Sequence, residues 1–556
     1  MSARATLLSL LLVFVAGLLP FAGTFFQHYP DERNYTNAAI TMVTTGEYVT
    51  PRWPDGHPNV HKPILVYWVV AGSYALFGVS LPASRLPFMV AGALIVALTY
   101  ATALRLGSSR ETALLAAVIT FSQPELILAS MRAIPDVLLC LFMLLSAYGF
   151  LSLVVLDRRT LGAYGTAYLG AALAVQTKGL LAVLFVVFAW LFAALDRSTE
   201  PTMARLRALI HVPSMLAALM IAGSWYAAMY ALHGPGPSQV FLGDQITWNL
   251  KVLDGTPLYR IPAYLAFLLS NLFPWSLLLI PLALFDRRSL VPADERARRA
   301  QRFIILWSVL MAVVFGLGNK MEPRYVLPAG PLVAILLAEA LGRADARLTA
   351  RALGYLLAAA LIALAALGLG LSLLDGFVIG VGPALVALAL VAVLAATIAL
   401  ATRDGGLSPA IAIALAVFLV FPLTVITLGP ALRPDAGVHA MARDVERAAR
   451  AGAKPVLVTG PEYLANKLRV ITGGRVAIDS WSRLGPARES WPAAMILPAA
   501  EAARVDLTGY RVREVPTEVR SVPPVGLIRA MLDRRVPEFL DAQRDRYIIA
   551  IRGVTP

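Results

Sequence analysis

Side chains suited to acid–base and phosphate chemistry recur in short polar stretches of an otherwise apolar chain. The first stretch, HYPDERNYTN (28–37), carries Asp31, Glu32 and Tyr35; RWPDGH (52–57) and VHKPILVYW (60–68) follow, the latter with Lys62. Farther on come MRAIPD (131–136) with Arg132 and Asp136, and QTKG (176–179) with Lys178. FLGDQITWN (241–249) brings Trp248, LYRIPAY (258–264) brings Arg260, and NKMEPRYVLP (319–328) brings Lys320, Arg324 and Tyr325. A carboxylate such as Asp31, or Glu32 and Asp136 in support, can take a proton from an attacking oxygen or orient it. Lys62, Arg260 and the Tyr325 hydroxyl suit a phosphate leaving group whose charge grows as its bond breaks. Arg132, Lys178, Lys320 and Arg324 are alternatives for that work or for an anionic acceptor, and Trp248 could line a substrate pocket. His57 and His61 could hold a divalent metal ion with Asp31 or Glu322, although Pro58 argues against the helix that would align them. Plainer readings stand beside these. Asp31-Glu32 and Asp136 would also serve as acids at helix N-termini, Lys62 and Arg260 as headgroup anchors, and Trp248 as an interfacial aromatic.

The elements that must position these residues are membrane spans. Of the 556 residues 58% are hydrophobic and 15% charged, with a mean hydropathy of +0.70, too little charge to clothe a soluble surface of this size. Apolar runs able to cross about 30 Å of hydrocarbon fall near 5–26, 84–104, 111–129, 136–156, 162–177, 179–195, 208–231, 262–285, 302–318, 325–341, 352–374, 377–402 and 408–430. The run 64–79 is short and rich in Tyr and Trp, which predicts an interfacial helix inside an extracytoplasmic loop over 27–83. With the N-terminus inside, the cytoplasmic connections hold about eighteen arginines and the short outer ones about six basic residues, as the positive-inside rule requires. Every polar stretch named above then lies on the outer face. The net charge of +14 is accounted for by these arginines rather than by nucleic-acid binding. The lone Cys140 sits in an apolar run and excludes an intramolecular disulfide. After Pro430, VHAMARDVERAARAG reads as a helix and PVLVTG, RVAID, AMILP and RYIIAIRG as strands. The expected fold is therefore a polytopic α-helical membrane protein of about 13 transmembrane helices over 1–433, with a small periplasmic α/β domain over 434–556.

The order of these motifs resembles the GT-C glycosyltransferases that use lipid-phosphate sugar donors. Within them it is most similar to the aminoarabinose transferases of lipid A and the protein mannosyltransferases. The marks are Asp31-Glu32 with Tyr35, Lys62-Pro63 leading into Tyr67-Trp68, Arg132 with Asp136, Lys178-Gly179, Trp225-Tyr226, and the segment Lys320–Pro328 with Arg324-Tyr325. They cover about 1–345. Where the aminoarabinose transferases usually carry a Glu before the Lys-Pro pair, this chain has His61. The resemblance implies a GT-C fold and a catalytic role for Asp31, supported by Asp136 and Glu32. It also implies a substrate-binding role for Tyr35 and inversion at the anomeric carbon by single displacement. The implied reaction moves 4-amino-4-deoxy-L-arabinose from undecaprenyl phosphate to lipid A or another anionic periplasmic acceptor. Hexosyl transfer to protein or glycan is the second reading, and a lipid or polysaccharide transporter the third. A transporter would need charges near the bilayer midplane, whereas here they cluster at span ends. No Walker or glycine-rich phosphate loop is present, in keeping with a lipid-linked donor that requires no nucleotide.

The arginine bias generates the first prediction: Ser480→Cys reacts with a membrane-impermeant thiol reagent in intact spheroplasts. Labelling only after permeabilisation would overturn the orientation.

Overall fold

A computed structural model describes residues 2–24, 31–54, 56–60, 62–196, 201–243, 259–318, 321–359, 408–432, 435–453, 456–460, 462–481, 484, 491–519, 523–533 and 535–552. The helices of the first half are α1 (Ala3–Leu18), α2 (Glu32–Thr45), α3 (Leu65–Phe77), α4 (Leu81–Leu106), α5 (Arg110–Phe121), α6 (Pro124–Ser130), α7 (Pro135–Val154), α8 (Leu161–Lys178) and α9 (Val183–Leu195). There follow α10 (Thr202–Ala208), α11 (Val212–His233), α12 (Pro235–Leu242), α13 (Arg260–Asn271), α14 (Leu279–Phe285), α15 (Glu295–Gly316), α16 (Gly330–Arg343) and α17 (Ser408–Leu432). Local chemistry sets their ends. The Ser80 hydroxyl accepts from the Ala83 N–H to start α4, Thr160 does the same for α8, and left-handed Gly107 closes α4.

Among the described residues six helices are long and apolar enough to cross a membrane, or up to eight if two bent pairs each count as one span. The chain is a multi-pass membrane protein. Of the thirteen runs read from sequence, 377–402 lies outside the described residues and 352–374 mostly so. At 13 residues, α3 reaches only about 20 Å and cannot cross alone. Two runs read as continuous spans are broken instead. The α5–α6 pair bends by 61° and α13 meets the segment Trp275–Phe285 at 99°, each break falling at a proline, Pro124 or Pro274. Backbone polar groups freed inside an apolar bundle need partners, and here buried side chains supply them. Asn271 Oδ1 accepts from the Glu125 N–H (3.1 Å), and Ser122 Oγ, itself held by Trp275 Nε1 (2.8 Å), donates to the Val118 carbonyl (3.1 Å).

Helices α7 and α8 pack almost backbone to backbone. A Cβ on Gly149 would lie 2.2 Å from the Ala167 nitrogen, and one on Gly170 2.6 Å from the Ser146 nitrogen. The Ser146 hydroxyl donates to the Ala167 carbonyl (2.8 Å) between them. This close antiparallel hairpin sets Asp136, in the first turn of α7, beside Lys178, at the end of α8.

Beneath the first loop lies a sealed ion pair. Arg85, buried on α4, donates from Nε and Nη2 to the two Glu32 carboxylate oxygens, at 3.0 Å each. Its Nη1 donates to the Ala22 and Thr24 carbonyls (3.0 and 2.7 Å), and the Ala133 N–H donates to Glu32 Oε1 (2.8 Å). One pair thus ties the end of the first helical segment, α2, α4 and the turn before α7.

The remaining elements are α18 (Asp435–Arg450), β1 (Val456–Thr459), α19 (Glu462–Ile471), β2 (Ile478–Trp481), β3 (Ala494–Pro498), α20 (Ala499–Ala502), β4 (Tyr510–Val519), α21 (Pro524–Leu532), α22 (Val536–Ala542) and β5 (Arg544–Arg552). They build a five-stranded sheet in the order β2-β1-β3-β5-β4. β1 is parallel to β2 and β3 (Leu457 against Asp479 and Met495), while β5 is antiparallel to β3 and β4 (Ala550 against Met495 and Val512). The four runs read as strands all contribute to it; β4 is an additional edge strand. Val438, Met441 and Val445 of α18 pack on one face and Trp491 and Tyr510 lie on the other.

Because Arg85 meets the buried Glu32 through two parallel hydrogen bonds, Arg85→Met takes the guanidinium away from that carboxylate. The expected cost is about 3–5 kcal/mol, read as a lower unfolding temperature in detergent, and Arg85→Lys rescues little because an ammonium cannot make the fork. Wild-type stability of Arg85→Met would remove the pair from this role.

Candidate active site

At the end of the bundle that carries the sheet, four elements deliver charged side chains to one place. Asp31 stands at the N-terminus of α2, its side chain half exposed at 52% and making no capping hydrogen bond to the helix. Asp136 is buried in the first turn of α7 and accepts a 2.7 Å hydrogen bond from Lys178 Nζ. Arg324 rises from the 3₁₀ segment Pro323–Ala329 and joins the two acids. Its Nη2 lies 3.8 Å from Asp31 Oδ2, its Nε 3.6 Å from Asp136 Oδ1, and its Nη1 3.5 Å from Glu322 Oε2. Tyr325 closes the floor, with Lys178 Nζ 4.4 Å from its ring centroid and Phe315 packed 5.0 Å away.

Proximity fixes the division of labour. Asp136 is buried with two cations against it, so its charge holds Lys178 and Arg324 in place and it has little access to a substrate. Asp31 is the exposed carboxylate of the group, free to meet an incoming atom while its Arg324 contact restrains it. Glu32, grouped with Asp31 in sequence, points the other way into the sealed pair with Arg85, where both carboxylate oxygens are engaged. Tyr35 packs 5.4 Å from Tyr67 ring to ring. Burial drives its phenol well above the ordinary value, and Tyr67, Asp31 and Asp136 add to that, so Tyr35 stays a neutral hydroxyl.

Lys62 is half-buried just before α3, near enough for its charge to act on Asp136. Arg260 begins α13 at the rim, donating from Nη1 to the Gly318 carbonyl (2.7 Å). Tyr264, one turn on, accepts from the Glu322 N–H (3.1 Å) and so joins that rim to the Arg324 segment. Arg132 lies in the turn before α7, its charge bearing on Glu125. Trp248, Lys320 and His61 lie outside the described residues. His57 is exposed in a turn in which its carbonyl accepts from the Trp53 N–H. Among the described residues no three His, Cys, Asp or Glu side chains gather to hold a metal ion.

Two participants escape the sequence reading. Glu125, within a run taken as a plain span, opens α6 after the break and is acted on by Arg132, Arg324, Asp136 and Glu322. The polar triplet Gln123-Pro124-Glu125 inside an apolar run is the signal that could have found it. Arg85 sits at the start of an apolar helix, where an arginine ordinarily reads as an anchor.

Comparison with solved structures decides the fold. ArnT from Cupriavidus metallidurans bound to undecaprenyl phosphate superposes over 99% of both chains with a TM-score of 0.72 at 18% identity. The fold is that of ArnT. Residues 4–234 match the family described as dolichyl-phosphate-mannose-protein mannosyltransferase, a stretch that includes Asp31, Lys62, Asp136 and Lys178. The undecaprenyl phosphate-alpha-4-amino-4-deoxy-L-arabinose arabinosyl transferase of Pseudomonas aeruginosa LESB58 is 30% identical over 61% of this chain and 60% of its own. Its counterpart in Pectobacterium carotovorum PC1 is 26% identical over 58% and 56%. An uncharacterized Aquifex aeolicus protein is 27% identical over 56% and 58%. The chain thus resembles both the aminoarabinose transferases and the mannosyltransferases, and it spans less than two thirds of the length of the curated relatives that it matches.

The three-way reach of Arg324 is what a lysine cannot reproduce, since a point charge satisfies one carboxylate at a time. Arg324→Lys is expected to lower turnover of this site roughly tenfold, the scale of a small misplacement of charged groups around a reacting centre. Wild-type turnover would reduce Arg324 to a diffuse neutralising charge.

Proposed function

We propose that the protein is an inverting glycosyltransferase that moves 4-amino-4-deoxy-L-arabinose from undecaprenyl phosphate to lipid A, on the periplasmic face of the bacterial inner membrane. The observation that carries the reading is the half-exposed Asp31 carboxylate beside a preassembled cluster of Lys178, Arg324 and Asp136. The ArnT-like fold and the names of the curated relatives support it.

In this reading the acceptor oxygen attacks the anomeric carbon from the Asp31 side. The new carbon–oxygen bond forms as the bond from that carbon to the phosphate oxygen breaks, and undecaprenyl phosphate leaves with the electron pair. Asp31 orients the acceptor and takes its proton where it has one. Lys62, Arg260 and the Tyr325 hydroxyl meet the charge developing on the phosphate, and Lys178 with Arg324 extends that positive field toward an anionic acceptor. Asp136 and Glu32 position rather than react, each through a buried cation partner. Arg132, Lys320, Tyr35 and Trp248 complete the substrate surface. The transmembrane part is assigned to 1–433 and the periplasmic α/β domain to 434–556.

The match of residues 4–234 to the mannosyltransferase family favours a second reading, hexosyl transfer to a hydroxyl of protein or glycan. There the acceptor must lose a proton, and Asp31 becomes indispensable as a base.

Mass spectrometry of lipid A from cells with and without the gene tests the main reading, which expects aminoarabinose-bearing lipid A to disappear with the gene. Asp31→Asn should behave like the deletion, because removing a positioned base costs about 10²–10⁴-fold in rate. Unmodified lipid A in both strains, with hexosylated product lost instead, would move the assignment to the second reading.

A further inference from the structure

The helix that carries Asp31 is held from two sides. Its first turn is fixed from below by the Glu32–Arg85 pair. One and a half turns later Thr36 and Asn37, both buried, face the sheet-bearing part of the chain. Asn466 Nδ2, on α19, donates to Thr36 Oγ1 and to Asn37 Oδ1, at 3.0 Å each, and Arg469 Nη1 donates to Asn37 Oδ1 at 3.4 Å. Arg469 also donates from Nε to the Ile478 carbonyl of β2 (3.0 Å), so the joint is tied to the sheet itself. The left-handed Gly474 that follows α19 lets the two parts close up; a Cβ there would lie 2.8 Å from Ile40 Cγ2.

An apolar contact would tolerate sliding of one helix on the other. Hydrogen bonds made by buried amides do not, because each has a direction and each lost partner is left dry. We propose that Asn466 and Arg469 are positioning residues for the transfer reaction. Through Asn37 and Thr36 they set the rotation and height of α2, and so the place of the Asp31 carboxylate about 9 Å along the same helix. The inference rests on the role of Asp31 proposed above and gives the α/β domain a part in catalysis without contact with substrate. The Asn37 amide supports the assignment: its Nδ2 finds no partner among the described residues, so the side chain is used as an acceptor.

The test is a double-mutant cycle on the full-length protein, with turnover divided by the amount of undecaprenyl phosphate that the same preparation binds. Asn466→Ala should lower kcat about tenfold to a hundredfold, the scale of a small misplacement of a reacting group, while the affinity for undecaprenyl phosphate stays at the wild-type value. In an Asp31→Asn background Asn466→Ala should cost nothing further. An equal fold-loss in both backgrounds would overturn the proposal, since the residue would then act on something other than Asp31. Near-normal activity of Asp31→Asn alone would instead sink the reading of Asp31. A second pair guards against simple misfolding: Asn37→Asp keeps the acceptor and should retain activity, whereas Asn37→Ala should match Asn466→Ala. Equal losses for Asn37→Asp and Asn37→Ala would also overturn the proposal.

Discussion

Burying Arg85 at the foot of the first loop is the constraint from which the rest of the site geometry follows. A guanidinium out of water is tolerable only if every donor is used and its charge matched. Glu32 supplies the charge, while the Ala22 and Thr24 carbonyls take the remaining donors that the structure resolves. Once Glu32 is committed, the Ala133 N–H completes its oxygen, and the turn that introduces α7 is located relative to α2. Asp31 and Asp136, one at the start of each of those helices, therefore inherit their separation from a pair that lies beneath both.

The charges above this pair obey a second rule, that neutralisation and solvent access are given to different acids. Asp136 spends its charge on Lys178 and Arg324, and the tight α7–α8 hairpin makes that contact a consequence of backbone packing rather than of side-chain reach. Asp31 touches only the far edge of the same guanidinium and stays half in solvent. Two carboxylates in one cluster thus differ in access by virtue of the helix each begins, a division that neither residue type nor spacing encodes.

Much of the frame is legible in the chain because hydrophobic runs and their caps act locally. The spans 84–104 and 136–156, the short α3, the helix in VHAMARDVERAARAG and four of the five strands follow from periodicity, length and flanking polar residues. The fifth strand does not, since YRVREVPTEV alternates in two short stretches that fall out of phase at Glu514 and carry Pro516. The breaks within 111–129 and 262–285 were signalled by Pro124 and Pro274 and passed over because the apolar runs continue through them. In the site, Asp31, Asp136, Lys178, Arg324 and Tyr325 share a membrane face by loop parity alone, and three-dimensional contact confirms their meeting. That Glu32 turns inward could not be read, because its partner Arg85 is 53 residues away and resembles an anchor.

The joint between Asn37 and Asn466 spans 429 residues of chain. At about 5–20 residues per second, a ribosome needs roughly 20–90 seconds to travel between them. For most of that interval α2 has only its lower anchor available. The upper one closes when α19 and the sheet it packs on have emerged and folded. A truncated or stalled product would keep its spans and its lipid-facing surface while lacking the clasp on its first loop. Synthesis order thereby delays the final placing of Asp31 until the sheet that carries α19 has folded.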